Sequence, residues 1–339
     1  MARISLRDVG KEAGVSGATV SRVLNGVEAR IPAETQARIR RIATEMGYRP
    51  SRAGRALATG RTMTVALWLP DLRTPAHAEA ADGMRREAQA HGYDLMIGGA
   101  DVGEGEGPDG QRMIDGARLA EWPVDGIFAV DVGGRAVAGL EAGLLGGKPL
   151  VCLGDGGPEG ADAVRVEFGE AAREATRHLA RIGCRRIVFV SPRGPHVRGD
   201  ARQDGYREAL AEAGLGPEYL LVPDGKDPRP AAYRAVSDAL DRPARPDALL
   251  CLSDDLAFGA ARALRERGLH VPQDVALIAC DGTDGGLYLN PPLSTLARPL
   301  PELCALAWDL LDRRLTDPAR PLQQIGVPAR LVLRESSRR

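Results

Sequence analysis

The sequence predicts a small helical head followed by a larger α/β body in two similar lobes. Three observations carry that prediction. Residues 5–46 contain three amphipathic helical stripes with caps and turns between them. From Met63 onward, short apolar runs alternate with helical stretches in two successive series. Charge is also unevenly divided. Residues 1–61 hold twelve Lys/Arg and five Asp/Glu, a charge of +7, so a chain of net charge −1 must carry −8 on its other 278 residues. A basic head on an acidic body is the distribution expected when the head meets a polyanion.

The first helix opens at Ser5, with Asp8 at capping-box spacing, and Leu6, Val9 and Ala13 form one stripe. Gly14 and Val15 make the turn, and Ser16 can cap the next helix. In that helix Val20, Val23 and Leu24 point toward a core, while Gly17, Ala18, Ser21, Arg22 and Asn25 point away. Small residues at the N-terminal end let a helix sit deep in a DNA major groove. Arg22 is then placed to fork onto a guanine edge, Thr19 and Ser21 offer hydroxyls to phosphates, and Ser16 and Asn25 complete the DNA-binding set. Periodicity alone fits an ordinary helical hairpin equally well; the charge asymmetry favours the DNA reader. A third helix over 33–46 starts at Pro32, ends at Gly47 and buries Ile39, Ile42, Ala43 and Met46. The basic, glycine-bounded run SRAGRALATGRT (51–62) is too short to hold a helix alone and reads as a hinge that orders on a partner. The expected division is a helix-turn-helix domain at 1–49, a hinge helix or linker at 50–61, and a two-lobed core at 62–339.

In the core, strands are expected at 63–70, 93–98, 124–130 and 149–153, with helices at 76–91, 112–121 and 136–145. A second series places strands at 185–191, 219–222, 248–253 and 275–280 among helices at 171–182, 202–213, 231–240 and 257–267. Buried strands alternating with helices mean parallel sheets covered on both faces, about four strands to each lobe. Ligands in such folds lie at the carboxyl ends of the strands, so the cleft between the lobes is the expected small-molecule site. No apolar run approaches the ~20 residues of a membrane span. The N-terminal residues lack the apolar region of a secretory signal. The five cysteines lie far apart with no CxxC and read as reduced core residues. A cytoplasmic protein with no metal or cofactor is expected.

The motifs DVGKEAGVSGATVSRVLNG, ETQARIRRIATEMGYRPS, AGRALATGRT, RHLARIGCRRIVFVS, RQDGYREALAEAGL, SDDLAFGAARALRERGLHVPQDVALIACDG and NPPLSTLARPL occur in that order. Together they resemble the lactose-repressor/galactose-repressor family of transcription regulators over nearly the whole chain. The resemblance implies a periplasmic-binding-protein-like core and a homodimer on a palindromic operator. It also implies a small effector in the inter-lobe cleft that changes operator affinity. Arg22, Gly17 and Ala18 fall on the family's base-reading positions, and Leu57 on the hinge leucine that wedges into the minor groove. In the cleft, Arg202 and Asp281 fall on effector-contacting positions. Ser253 and Asp254 fall on the family's Asn-Asp pair, and Asp71 ends the first core strand. A carboxylate accepts hydroxyls and an arginine donates a fork, which suits a sugar. Capping of the following helices is the other reading of Asp71, Asp254 and Asp281. His196 and Arg198 lie on a loop that lines the cleft in some relatives.

Several positions depart from the family pattern. His77 replaces an aromatic wall, Glu167-Phe168 the usual Asp-Asn, and Ser253 an asparagine. Gly154 stands where an acid is common, with Asp155 one step later. With few aromatics and with His77, His196, Arg198 and Arg202 in reach, a phosphorylated sugar or acidic metabolite is expected to outcompete a neutral hexose. GEGPDG (105–110) matches GxGxxG, but Glu104, Glu106 and Asp109 would repel a pyrophosphate. No histidine pair has metal spacing and no GxSxG elbow occurs. The leading expectation is an effector-responsive repressor and not an enzyme. The alternatives are a sugar-processing α/β enzyme with an accessory DNA-binding head, and a solute-binding protein.

Overall fold

In the computed structural model the described residues are 4–24, 31–48, 56, 60–99, 121–131, 145, 147–155, 160–192, 200–223 and 227–339. The chain forms two compact units, one of residues 1–64 with 123–125 and one of 65–122 with 126–339. The expected helices at 112–121 and 136–145 fall almost wholly outside the described residues, as does the hinge apart from Ala56, Gly60 and Arg61.

The first unit holds α1 (Leu6–Ala13), α2 (Gly17–Leu24) and α3 (Ala33–Glu45). The capping box at α1 forms as its spacing predicts: the Asp8 amide donates to Ser5 Oγ at 3.3 Å, and the Ser5 amide donates to Asp8 Oδ2 at 2.8 Å. Gly14 closes the helix in the left-handed conformation, φ 66°. Ser16 Oγ accepts the Thr19 amide at 3.1 Å and so starts α2. Val9, Ala13, Val20, Val23, Ile39, Ile42 and Ala43 are buried together, with Met46 packed against them. The three helices share one small core because each alone is too short to persist.

The second unit contains two six-stranded sheets. Lobe 1 uses β1 (Thr64–Leu69), β2 (Asp94–Gly99), β3 (Gly126–Val130), β4 (Leu150–Gly154), β5 (Asp162–Glu167) and β11 (Gln324–Pro328), in the order β11-β5-β4-β3-β1-β2. Lobe 2 uses β6 (Ile187–Ser191), β7 (Glu218–Leu221), β8 (Ala248–Cys251), β9 (Ala276–Asp281), β10 (Ser294–Ala297) and β12 (Arg330–Val332), in the order β12-β10-β9-β8-β6-β7. The pairings run parallel from β1 through β3, β4 and β5 to β11, and from β7 through β6, β8 and β9 to β10. β12 joins β10 antiparallel. Each lobe therefore exceeds the expected four strands. β5, β10, β11 and β12 were not anticipated, being short and rich in polar residues.

The helices of this unit are α4 (Pro75–Ala90), α5 (Gly169–Arg181), α6 (Ala201–Glu212), α7 (Pro228–Leu240), α8 (Asp254–Glu266) and α9 (Leu300–Thr316). Among the described residues the chain passes between the lobes three times: at Phe168 from β5 to α5, at Arg298-Pro299 from β10 to α9, and at Ala329 from β11 to β12. α9 belongs to lobe 1, where Trp308 stacks on His91 with ring centroids 4.6 Å apart. Arg314 of α9 holds the buried Asp162 of β5 at 2.9 and 3.1 Å.

One glycine governs the head. A Cβ on Gly10 would lie 2.7 Å from the Val15 carbonyl oxygen and 3.1 Å from the Gly17 amide nitrogen, both backbone atoms of the turn into α2. Gly10→Ala must push that turn outward, at an overpacking cost of about 1–3 kcal/mol. The expected result is a lower melting temperature for the head by amide NMR on the full chain, with the α/β core transition unchanged. A head as stable as the parent would show that the turn yields freely.

Candidate functional site

Two sets of residues stand out. On the head, Ala18 and Arg22 are exposed on α2, and Gly17, Thr19 and Ser21 are half-buried beside them. Val20 and Val23, on the opposite face, are buried. Ser16 is exposed, and its Oγ lies 2.9 Å from Thr19 Oγ1. The described face is thus short side chains followed by one arginine. Asn25 and Leu57 lie outside the described residues.

In the core, the carboxyl ends of the strands carry a continuous network of charges. Asp71, just past β1, accepts the Arg73 and Thr74 amides at 2.8 Å each and the Thr74 hydroxyl at 3.0 Å. Burial would raise its pKa, but these bonds and the neighbouring His77 hold it below the usual value. It is therefore a turn-forming carboxylate at the start of α4. His77 Nδ1 lies 3.4 Å from Asp71 Oδ2, and His77 Nε2 lies 3.6 Å from Asp131 Oδ2.

Asp131, just past β3, is the centre of the network. Its Oδ1 accepts the Asp155 amide at 2.7 Å, and its Oδ2 accepts Arg298 Nη1 at 2.6 Å. Burial acts to raise it, but Arg298 and His77 outweigh burial and keep it ionised. Arg298 also donates from Nε and Nη2 to Asp281 Oδ1, at 3.1 and 2.7 Å. Asp155 pairs with Arg202, whose Nε donates to the buried Asp200 at 3.0 Å. Burial opposes the charge on both arginines, yet their paired aspartates more than offset it and raise both pKa values. Both guanidinium groups lie over the Phe168 ring, Arg202 at 4.8 Å and Arg298 at 6.0 Å.

Asp254 and Ser253 have local roles. Ser253 caps α8 through the Leu256 amide at 3.3 Å. Asp254 accepts the Thr283 amide and hydroxyl, both at 2.7 Å, and the Thr295 hydroxyl at 3.2 Å, fastening the ends of β8, β9 and β10. Its amide approaches Asp281 Oδ2 at 3.4 Å. Burial, and then the Asp281 charge, raise Asp254 to about 7 against these bonds. For Asp71 and Asp254 the structure thus shows backbone-fixing roles.

Of the expected cleft residues, Asp71, His77, Arg202, Asp254 and Asp281 fall in one network, with Ser253 at its edge. His196 and Arg198 lie outside the described residues. Asp131 and Arg298 were missed, although they join the other residues. Asp131 could have been found by treating the end of β3 as the end of β1 was treated. Arg298 lies in the quoted motif NPPLSTLARPL, but the strand before it was not recognised. The structure also accounts for Gly154. It has φ 100°, and a Cβ there would overlap Asp131 Oδ1. The Asp131 carboxylate occupies that space, and the acid of β4 moves one residue on, to Asp155.

Residues 5–51 match the model for bacterial regulatory proteins of the lacI family, and residues 176–337 match a periplasmic binding protein-like domain. The chain is similar to the HTH-type transcriptional regulator CelR of Thermobifida fusca, with 31% identity over 98% of both chains. It is also 30% identical to the HTH-type transcriptional repressor PurR of Edwardsiella ictaluri, over 98% of this chain and 96% of that one. The chain belongs to the lacI family of bacterial regulatory proteins. A solved structure of a CelR–cellobiose complex is 27% identical, covering 98% of this chain and all of that one, with a TM-score of 0.67. The relatives named here are regulators of transcription, and the comparisons lend no support to an enzyme. Among the described residues no helix is long and apolar enough to cross a membrane.

The raised Asp254 predicts a pH effect within this lacI-family core. A carboxyl whose folded pKa lies above its unfolded value stabilises the fold most while protonated. The contribution is lost as pH rises from about 4 through 7. Relative to Asp254→Asn, the parent should therefore lose up to about 4 kcal/mol between pH 4 and pH 8, at about 1.4 kcal/mol per unit. Denaturant melts of both proteins at several pH values give the difference. Parallel stability curves would mean that Asp254 stays ionised throughout.

Proposed function

We propose that the protein is a transcriptional repressor that binds a palindromic operator as a homodimer and responds to a small effector in the inter-lobe cleft. The observation that carries the DNA reading is the α2 face. Exposed Ala18 and Arg22 follow a half-buried Gly17 on a head with a charge of +7 that matches the lacI-family model. In this reading residues 1–49 bind DNA, 50–61 form the hinge, and 62–339 bind effector and dimerise. Gly17, Ala18, Arg22 and Asn25 meet bases, Ser16, Thr19 and Ser21 meet phosphates, and Leu57 wedges into the minor groove. A protein acting on chromosomal operators works in the cytoplasm.

For the effector, we read Asp131, Asp155, Arg202, Asp281 and Arg298 as the polar seat, with Asp71, His77, Ser253 and Asp254 shaping it. The described network holds six aspartates (Asp71, Asp131, Asp155, Asp200, Asp254, Asp281), of which Asp254 is raised to about 7, against two guanidinium groups and one histidine. Both guanidinium groups are already engaged by two aspartates each. A phosphate would have to break those pairs and face the remaining carboxylates. The geometry therefore favours an uncharged polyhydroxylated ligand, whose hydroxyls donate to carboxylates and accept from arginines. It gives no advantage to the anionic ligand that the histidines and arginines imply when counted from sequence. The cellobiose in the CelR complex is a ligand of that neutral class.

Operator selection from a random duplex library, followed by titration, tests the DNA reading. Log affinity should fall with log salt by about 0.9 per phosphate contacted. Arg22→Ala should cost about 1–3 kcal/mol on the selected operator and much less on random DNA. A flat salt response, or equal losses on both DNAs, would reject the assignment. For the effector, neutral sugars and their phosphorylated counterparts are compared by calorimetry. Arg202→Ala should weaken the neutral ligand by about 1–3 kcal/mol while operator binding persists. Preferential binding of a phosphosugar would reverse the ligand class.

A further inference from the structure

Arg298 occupies an unusual place. It lies on one of the three connections that join the lobes, immediately after β10 of lobe 2 and before α9 of lobe 1. Its guanidinium stands 6.0 Å over Phe168, which lies on another of those connections. One side of the fork bonds Asp131 of lobe 1 at 2.6 Å, and the other side bonds Asp281 of lobe 2 at 3.1 and 2.7 Å. All three side chains are nearly buried, Arg298 at 13%, Asp131 at 12% and Asp281 at 7% exposure.

The backbone supports the same reading. Among the described residues only three other than glycine have positive φ: Met63, Asp131 at 49° and Asp281 at 112°. Two of the three are the carboxylates that grip Arg298. Such conformations are unfavourable for residues other than glycine and persist only when the surroundings impose them. Two further bonds span the lobes beside the clamp. Arg202 pairs with Asp155, and Glu79 of α4 accepts the Asp284 amide at 3.0 Å. A ligand seated between lobes stabilises the arrangement it touches on both sides, and Arg298 already makes such contacts from within the chain.

We propose that Arg298 is a built-in occupant of the cleft, a tethered cation that draws lobe 1 onto lobe 2 before any effector arrives. An effector then enters a cleft whose carboxylates are already partly satisfied and shifts the lobe arrangement only by its own differential contacts. The bearing on regulation rests on the cleft being the effector site; the clamp itself does not, and its test uses neither effector nor DNA.

The test is chemical rescue with a distance readout. All five cysteines are buried, so spin labels can be placed on one engineered surface cysteine per lobe. In the labelled full chain, Arg298→Ala should lengthen and broaden the inter-lobe distance and lower the melting temperature of the core. Methylguanidinium, at millimolar concentrations far below denaturing ones, should reverse both changes saturably. Sodium chloride should not, and the parent should not respond. Asp131→Asn removes the charge on the lobe 1 side of the clamp while Asp281 still holds Arg298, and should lengthen the distance while leaving the core folded. That variant decides the matter if Arg298→Ala does not fold. An unchanged distance in Asp131→Asn, or an Arg298→Ala protein that folds but is not rescued by methylguanidinium, would overturn the proposal. Success here with no sugar bound would leave the clamp standing while the effector reading failed.

Discussion

The α/β core depends on neutralising carboxylates that its own topology crowds together. Parallel strands place their carboxyl ends on one edge, and here β1, β3, β4, β8 and β9 each end at or near an aspartate. Burying those charges without partners would cost several kcal/mol apiece. Arg202 and Arg298 supply the partners, each shared between two aspartates, and Phe168 gives both a flat apolar surface to lie against. Arginine suits this task because its fork can meet two acceptors while keeping its charge. The ion pairs add little to stability compared with an apolar core of similar volume. Their effect is to fix which lobe surfaces face one another, since Asp131 and Asp155 come from lobe 1 while Asp281, Asp200 and Arg202 come from lobe 2.

The head follows a different physical logic. Its core is small, its helices are short, and its order comes from caps and one close turn at Gly10. It leaves a face of small side chains ahead of Arg22, on a segment whose positive charge the core does not share. A reader of this kind gains affinity from phosphates and selectivity from a few base contacts. Coupling between head and cleft requires that an effector distinguish two lobe arrangements. Such couplings are typically about 1–3 kcal/mol. A core already biased by its own ion pairs begins from a shifted balance, so the same ligand contacts give a different response than in a core that starts open.

The head was legible because every signal in it is local: a box at i and i+3, a glycine after the last apolar residue, a stripe at helical spacing. The central strands were legible because they are continuous apolar runs. The strands that escaped notice hold Asp162 and Arg165 in β5, Ser294 and Thr295 in β10, and Gln324 and Gly326 in β11. Their polar side chains make specific tertiary bonds that no window of sequence contains, such as Asp162 with Arg314 and Ser294 with Ser337. The site was legible in part for the same reason. Arg202 and Asp281 sit in recognisable motifs, whereas the bond between Arg298 and Asp131 joins residues 167 apart. Counting cationic residues pointed to an anionic ligand. Only the pairing shows that both arginines are already engaged.

Gly154 shows how far a relative's chemistry can be carried onto this chain. Where relatives often place an acid, the chain has a glycine in the left-handed region, with Asp131 Oδ1 filling the space of the absent side chain. The acid has moved to Asp155, where its amide bonds Asp131 and its carboxylate turns to Arg202. Because Asp131 presses on the position a Cβ would need, restoring the side chain at 154 would displace Asp131 and loosen Arg298 with it. Asp131, Gly154, Asp155 and Arg298 are therefore mechanically linked. A shared fold does not by itself carry a shared ligand seat, so effector identity is read from these four positions together.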